Sequence, residues 1–119
     1  AYFDHARDAI LQITQQALQH GIPAGTALNV NIPAYNGAPL KGIKVCRQAD
    51  ARWAESFDQR VDPQGRNYFW MTGEFMNLDA EKESTDEWAL DNGYISIVPC
   101  QFDLTSYKAI SSLSRWDLN

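Results

Sequence analysis

A chain of 119 residues with 45% apolar and 21% charged side chains has room for one folded domain or part of one, and this composition excludes a disordered chain. Fifteen acidic residues against ten Lys plus Arg argue against a general nucleic-acid binder, though not against binding of a small phosphate ester. No apolar run reaches the length of a membrane span and the start lacks a signal-peptide pattern, so a soluble, cytoplasmic protein is expected.

The opening Ala-Tyr-Phe-Asp has no Met and runs straight into a helical pattern, as an internal segment of something longer would. Phe3, Ala6, Ile10, Ile13 and Ala17 recur at steps of three and four, one face of an amphipathic helix that Gly21 and Pro23 end. Leu28, Val30 and Ile32 alternate with Asn29 and Asn31 in a short strand stopped by Pro33. A loop, Ala34 to Pro39, precedes a second strand over Gly42–Arg47. From Trp53 to Val61 the positions Trp53, Phe57 and Val61 are apolar while Arg52, Ser56, Asp58 and Arg60 face the other way. The turn Asp62-Pro63-Gln64-Gly65 then returns the chain as Asn67–Phe75, completing a long hairpin. Within it Tyr68, Phe69, Trp70 and Met71 form an unbroken apolar run, so both faces of that strand need cover.

Asn77 to Glu83 reads as an acidic, solvated loop. Ser84 with Glu87 fits a capping box for a short helix that Asn92-Gly93 ends. Tyr94–Val98 is a further strand, and Thr105 or Ser106 caps a last helix with Tyr107, Ile110 and Leu113 facing inward. Helices at both ends with strands between them indicate an α+β unit or a piece of an α/β layer. The chain divides into a helix (1–21), core strands (26–50), a projecting hairpin (52–76), and a short helix, strand and terminal helix (84–119).

Candidate sites are few. Asp4, His5 and Asp8 invite a metal reading, but His20, the second of two histidines, lies near the far end of the same helix, and an acidic first turn suits the helix dipole. The acidic stretch Asp79–Glu87 lacks the mid-loop Gly that a calcium loop requires. Cys46 and Cys100 read as two reduced, buried thiols. Lys41, Lys44, Arg47, Arg52, Arg60 and Arg66 concentrate positive charge mid-chain, suited either to a phosphate or to acids on a partner surface. No Ser-His-Asp arrangement, catalytic carboxylate pair or Walker loop is visible.

Five phrases stand in register with one known family: Thr26-Ala27-Leu28-Asn29-Val30-Asn31-Ile32-Pro33; Lys41-Gly42-Ile43-Lys44-Val45-Cys46-Arg47-Gln48; Arg60-Val61-Asp62-Pro63-Gln64-Gly65-Arg66-Asn67-Tyr68-Phe69-Trp70; Thr85-Asp86-Glu87-Trp88-Ala89-Leu90; and Gly93-Tyr94-Ile95-Ser96-Ile97-Val98-Pro99 followed by Asp103-Leu104-Thr105. Together they resemble the C-terminal part of the SurE family of survival-protein nucleotidases. The resemblance implies a three-layer α/β, Rossmann-like fold for the full-length protein, with this chain as its C-terminal α+β part. It implies a divalent-metal-dependent phosphatase (a 5′/3′-nucleotidase or acid phosphatase, linked to stationary-phase survival) acting on nucleoside monophosphates, with Mg²⁺ or Mn²⁺ as cofactor. The family's metal motif, an Asp-Asp-Gly turn in the N-terminal half, is absent here, so no catalytic or metal residue is assigned to this chain and the isolated segment is expected to be inactive. Arg47, Arg52 and Arg66 are substrate-entrance candidates on charge alone. The resemblance also implies a homodimer or homotetramer held by the hairpin and terminal helix, with Trp53, Phe57, Tyr68, Phe69, Trp70 and Met71 as interface candidates. The alternative is a non-catalytic oligomerisation or interaction module.

Overall fold

A computed structural model describes residues 3–118, so Ala1, Tyr2 and Asn119, which the expected end segments include, lie outside the described residues. A 3₁₀ turn, Asp4–Ala6, leads into helix α1, Arg7–His20. Gly21 ends α1 with φ 76°, its N–H donating to the Ala17 carbonyl. Three strands then build the body: β1 Thr26–Asn31, β2 Ile43–Val45 and β5 Ile95–Gln101, in spatial order β1-β5-β2. Strand β5 runs antiparallel to β1 (Val30 opposite Ile97) and parallel to β2 (Val45 opposite Ile97). Being central, β5 is covered on both sides at its start, which accounts for the dense Ile95-Ser96-Ile97-Val98 run; Ile95 is only 1% exposed.

The register sorts the sheet's two faces, since paired residues point the same way. One face carries Leu28 and Val30, Ile95 and Ile97, Ile43 and Val45. Helix α1 lies over this face without closing on it: the gap is an apolar groove of about 410 Å³ bounded by Ile13 and Ala17 on one side and Leu28, Val45 and Ile97 on the other. No residue of α1 is buried. The opposite face carries Ser96, Val98, Lys44 and Cys46. Helix α2, Asp86–Asp91, packs there, and Cys46, Ala89 and Val98 with Tyr94 form the small core. Lys44 Nζ sits 4.4 Å from the Trp88 ring centre and 5.0 Å from that of Tyr94, so its stem and charge cap the aromatic pair.

Strands β3, Ala51–Val61, and β4, Asn67–Asn77, form a separate two-stranded sheet, paired from Ala51↔Asn77 to Val61↔Asn67. Eleven residues at about 3.4 Å each make a ribbon about 37 Å long. Asp62 closes its tip. One carboxylate oxygen accepts from the Gln64 and Arg66 N–H groups at 2.9 and 2.8 Å, and the other accepts from Arg66 Nε at 2.8 Å. Gly65, φ 80°, supplies the left-handed step of that turn.

Four expectations need correction. The second strand is shorter than Gly42–Arg47, because Arg47 leaves the sheet: its N–H donates to the Ser84 carbonyl and its own carbonyl accepts from Asp86 N–H. The cap of α2 is Thr85, whose Oγ1 accepts from Trp88 N–H at 3.3 Å, while Ser84 is engaged by Arg47. The terminal helix α3 covers Tyr107–Leu113 and stops short of the end of the expected 84–119 segment. Ser114 closes it by donating its hydroxyl to the Ile110 carbonyl, leaving Trp116 in a turn beyond. Cys46 is buried as expected, but Cys100 is exposed.

Candidate functional site

The base of the hairpin is tied to the body by a polar knot. Asp79, 5% exposed, accepts from Arg47 Nη1 at 2.8 Å, Lys82 Nζ at 2.6 Å and the Asp50 N–H at 3.1 Å. Arg47 above all, then Lys82 and the Asp50 amide, hold the Asp79 carboxyl well below the usual carboxylate range. Beside it, Asp86 Oδ1 accepts from the Ala49 and Glu87 N–H groups at 2.8 and 3.0 Å. Buried Thr85 donates its hydroxyl to the Lys82 carbonyl. Leu78 N–H donates to the Asp50 carbonyl, so the two strands leave the knot together and the ribbon's direction is fixed there. Sequence reasoning missed this knot, having read Asp79 in a solvated loop. The available signal was Arg47, a long-stemmed cation just after an apolar strand that needed an acid nearby.

The hairpin answers which residues share a face. Trp53, Phe57 and Val61 stand with Phe69, Met71 and Phe75 on one face. Tyr68 and Trp70 stand on the other, with Arg52, Asp58, Arg60 and Glu74. On that second face Arg60 donates to Asp58 at 3.1 Å and lies 5.6 Å from the Trp70 ring centre. Trp70 nevertheless stays 58% exposed, close to the 63% and 65% of Phe69 and Met71 on the first face. The six interface candidates are brought onto one ribbon and split between its two faces.

The three candidate arginines are not brought together. Arg47 is bound into the knot, Arg66 is paired with Asp62 at the ribbon's tip, and Arg52 lies near the ribbon's base with no ion pair among the described residues. They form no common phosphate cradle. Among the described residues no three His, Cys, Asp or Glu side chains converge closely enough to hold a metal ion. Asp103, held down to about 2 by Thr105 and then Tyr107, is engaged in the turn before α3. No helix among the described residues is long and apolar enough to cross a membrane.

The described residues thus place a polar knot at the base of an exposed apolar ribbon. A family model described as survival protein SurE matches residues 1–55. A 5′-nucleotidase SurE of Cytophaga hutchinsonii is 56% identical over 97% of this chain, which covers 44% of that relative. One of Christiangramia forsetii is 55% identical over the whole chain, covering 45% of the relative. The chain belongs to the SurE family. The crystal structure of SurE from Aquifex aeolicus superposes with a TM-score of 0.75 at 38% identity, over 94% of this chain and 45% of that one. The mixed α/β fold is therefore the SurE fold, and the chain spans less than half the length of the SurE relatives it matches, in keeping with the expected C-terminal portion.

Proposed function

We propose that this chain is part of a divalent-metal-dependent phosphatase hydrolysing nucleoside 5′- and 3′-monophosphates in the cytoplasm, and that its role within the whole protein is assembly. The observation carrying the reading is identity above 50% with 5′-nucleotidases SurE across essentially the entire chain. The reaction adds water across the phosphate ester, releasing a nucleoside and inorganic phosphate. Mg²⁺ or Mn²⁺ supplies the Lewis acid for that step when bound. In this reading the catalytic centre belongs to the remainder of the protein. The residues of this chain bind no reacting atom in this reading. They set the position of the hairpin through Asp79 and present apolar surface through which copies associate as a homodimer or homotetramer. Taken by itself the chain is then an oligomerisation module, a reading favoured by the exposed apolar side chains along the hairpin.

The test is hydrolysis of nucleoside 5′-monophosphates with Mn²⁺ or Mg²⁺. The whole protein should turn over and lose activity to a chelator, while residues 1–119 alone should show none. Turnover by the 119-residue chain would overturn the assignment of catalysis elsewhere.

A further inference from the structure

We propose that the Asn36-Gly37 step, in the loop between β1 and β2, is a site of spontaneous covalent modification. There the Asn36 side-chain amide is lost as ammonia and an aspartate or isoaspartate takes its place. The chain's second Asn-Gly step, Asn92-Gly93, is held inert by its hydrogen bonds. The chemistry needs a backbone N–H free to give up its proton, a side-chain carbonyl carbon within its reach, and a departing amide that nothing holds. Hydroxide takes the proton of the Gly37 N–H, and the nitrogen attacks Asn36 Cγ. An N–Cγ bond forms and the Cγ–Nδ2 bond breaks. Nδ2 leaves as ammonia with a proton drawn from water, which regenerates the hydroxide, and a cyclic imide remains. Water then adds across one of the imide C–N bonds. Opening on the side-chain side leaves aspartate, and opening on the main-chain side leaves isoaspartate, with an extra methylene in the backbone. The sum is amide plus water to carboxylate plus ammonium, with no change of oxidation state.

Asn36 meets each requirement. It is exposed, and Gly37 carries no side chain to obstruct ring closure, in a spot where nothing lies within 4 Å of the position a Cβ would take. Among the described residues the Gly37 N–H donates to nothing, and Asn36 Nδ2 is likewise unbound. Asn36 Oδ1 accepts from the Ala38 N–H at 3.0 Å. That bond folds the side chain back along its own backbone, across the Gly37 peptide. It also sets a donor where negative charge builds on Oδ1 as Cγ is attacked.

At Asn92 the same groups are occupied. The Gly93 N–H donates to the Leu90 carbonyl at 3.0 Å, and Asn92 Nδ2 donates to the Trp88 carbonyl at 2.9 Å. Asn92 is also half-buried. Both glycines have positive φ, 91° at Gly37 and 80° at Gly93, so sequence and backbone class are alike and the bonding separates the two steps. Asn29, Asn31, Asn67 and Asn77 precede Val, Ile, Tyr and Leu, whose side chains crowd the attacking nitrogen. The modification matters locally because Asn36 lines a cleft of about 380 Å³ with His5, Tyr35 and Lys41, into which it brings a carboxylate. His5 ties this loop to the start of α1, its Nε2 lying 3.4 Å from the Pro33 carbonyl oxygen and its ring 5.2 Å from that of Tyr35. The longer isoaspartate backbone therefore disturbs both the Ala38 turn and that tie.

The whole protein is kept in warm, mildly alkaline water labelled with heavy oxygen, and its peptides are followed by mass spectrometry with fragmentation that separates aspartate from isoaspartate. In the folded protein Asn36 should convert at least about tenfold faster than Asn92, which has to open locally first. In denaturant the two should convert at similar rates, because only the folded bonding distinguishes them. Asn36→Gln should abolish label uptake in this loop. Similar rates at the two steps in the folded protein, or faster conversion at Asn92, overturn the proposal. So does an Asn36 that keeps its amide in the folded protein while the denatured sample converts, because the loop is then covered or held still in the whole protein.

Discussion

Asp79 shows how one residue converts a surface loop into an anchor. Its carboxylate is nearly buried, yet it is matched by two cations and a backbone N–H, which is the condition under which a buried charge is tolerated. Its pKa in the folded state lies below the unfolded value of about 3.9. The pairing therefore contributes fully above about pH 4, and that contribution is lost as pH falls through the depressed folded value. Asp79→Asn keeps the shape but points an amide group at Arg47 and Lys82, leaving cations facing a poor acceptor. At pH 7 the variant should melt roughly 5–10 °C lower than the unmutated protein. The gap should narrow steadily below about pH 4, as acid removes the same charge from the parent. Melting curves at pH 7 and pH 3 check this, and a gap that widens in acid would contradict it.

At the scale of elements the hairpin is the informative unit. Its existence, turn and alternation were legible in the sequence, because Asp62-Pro63-Gln64-Gly65 fixes a turn locally and β3 alternates with period two. The end of α2 was legible for the same local reason, Asn92 capping and Gly93 at φ 80°. What was not legible depends on partners more than thirty residues away. Arg47 meeting Asp79, and the bridge from Arg47 to Ser84 and Asp86 that hands the cap to Thr85, are pairings no local pattern encodes. The division of Tyr68-Phe69-Trp70-Met71 between faces was visible as parity, but which face is finished by Arg60 was not. Gly73 belongs to this scale too. Its backbone is ordinary strand, so the requirement for Gly is spatial: an added Cβ would meet the Trp53 indole and lie 2.7 Å from the Ala54 carbonyl oxygen. Gly73→Ala should cost about 1–3 kcal/mol by overpacking. In a Trp53→Ala background it should cost at most half as much, the remainder being the backbone contact. Denaturant titration of the four proteins in this cycle measures the difference, and strict additivity would show that Trp53 does not rest on Gly73.

For the molecule as a whole, surface is the governing quantity. A compact monomer of this mass exposes about 6,500 Å², whereas this chain exposes 9801 Å². Its radius of gyration is 20.9 Å, against about 13–14 Å for a compact domain of this length. Two regions account for much of the excess: the ribbon, and the face of the sheet under α1, where Val45 on the outer strand is 76% exposed. Neither α1 nor the ribbon has a buried apolar anchor of its own, while β5 and α2 share the core of Cys46, Ala89 and Val98, and Ile95 is buried on the sheet's other face. Local opening should follow that division. In the 119-residue chain, amide hydrogens of Ile95–Val98 and Ala89 should exchange slowest, and those of α1 should exchange fastest among the helical and strand residues. Under the proposed association of copies, protection of β3 and β4 should rise with protein concentration. Protection of α1 should not, because its groove faces the sheet of its own chain. Hydrogen exchange at two concentrations tenfold apart separates these regions. Uniform protection throughout, or concentration-dependent protection of α1 together with an unchanging ribbon, would refute this ordering of the molecule.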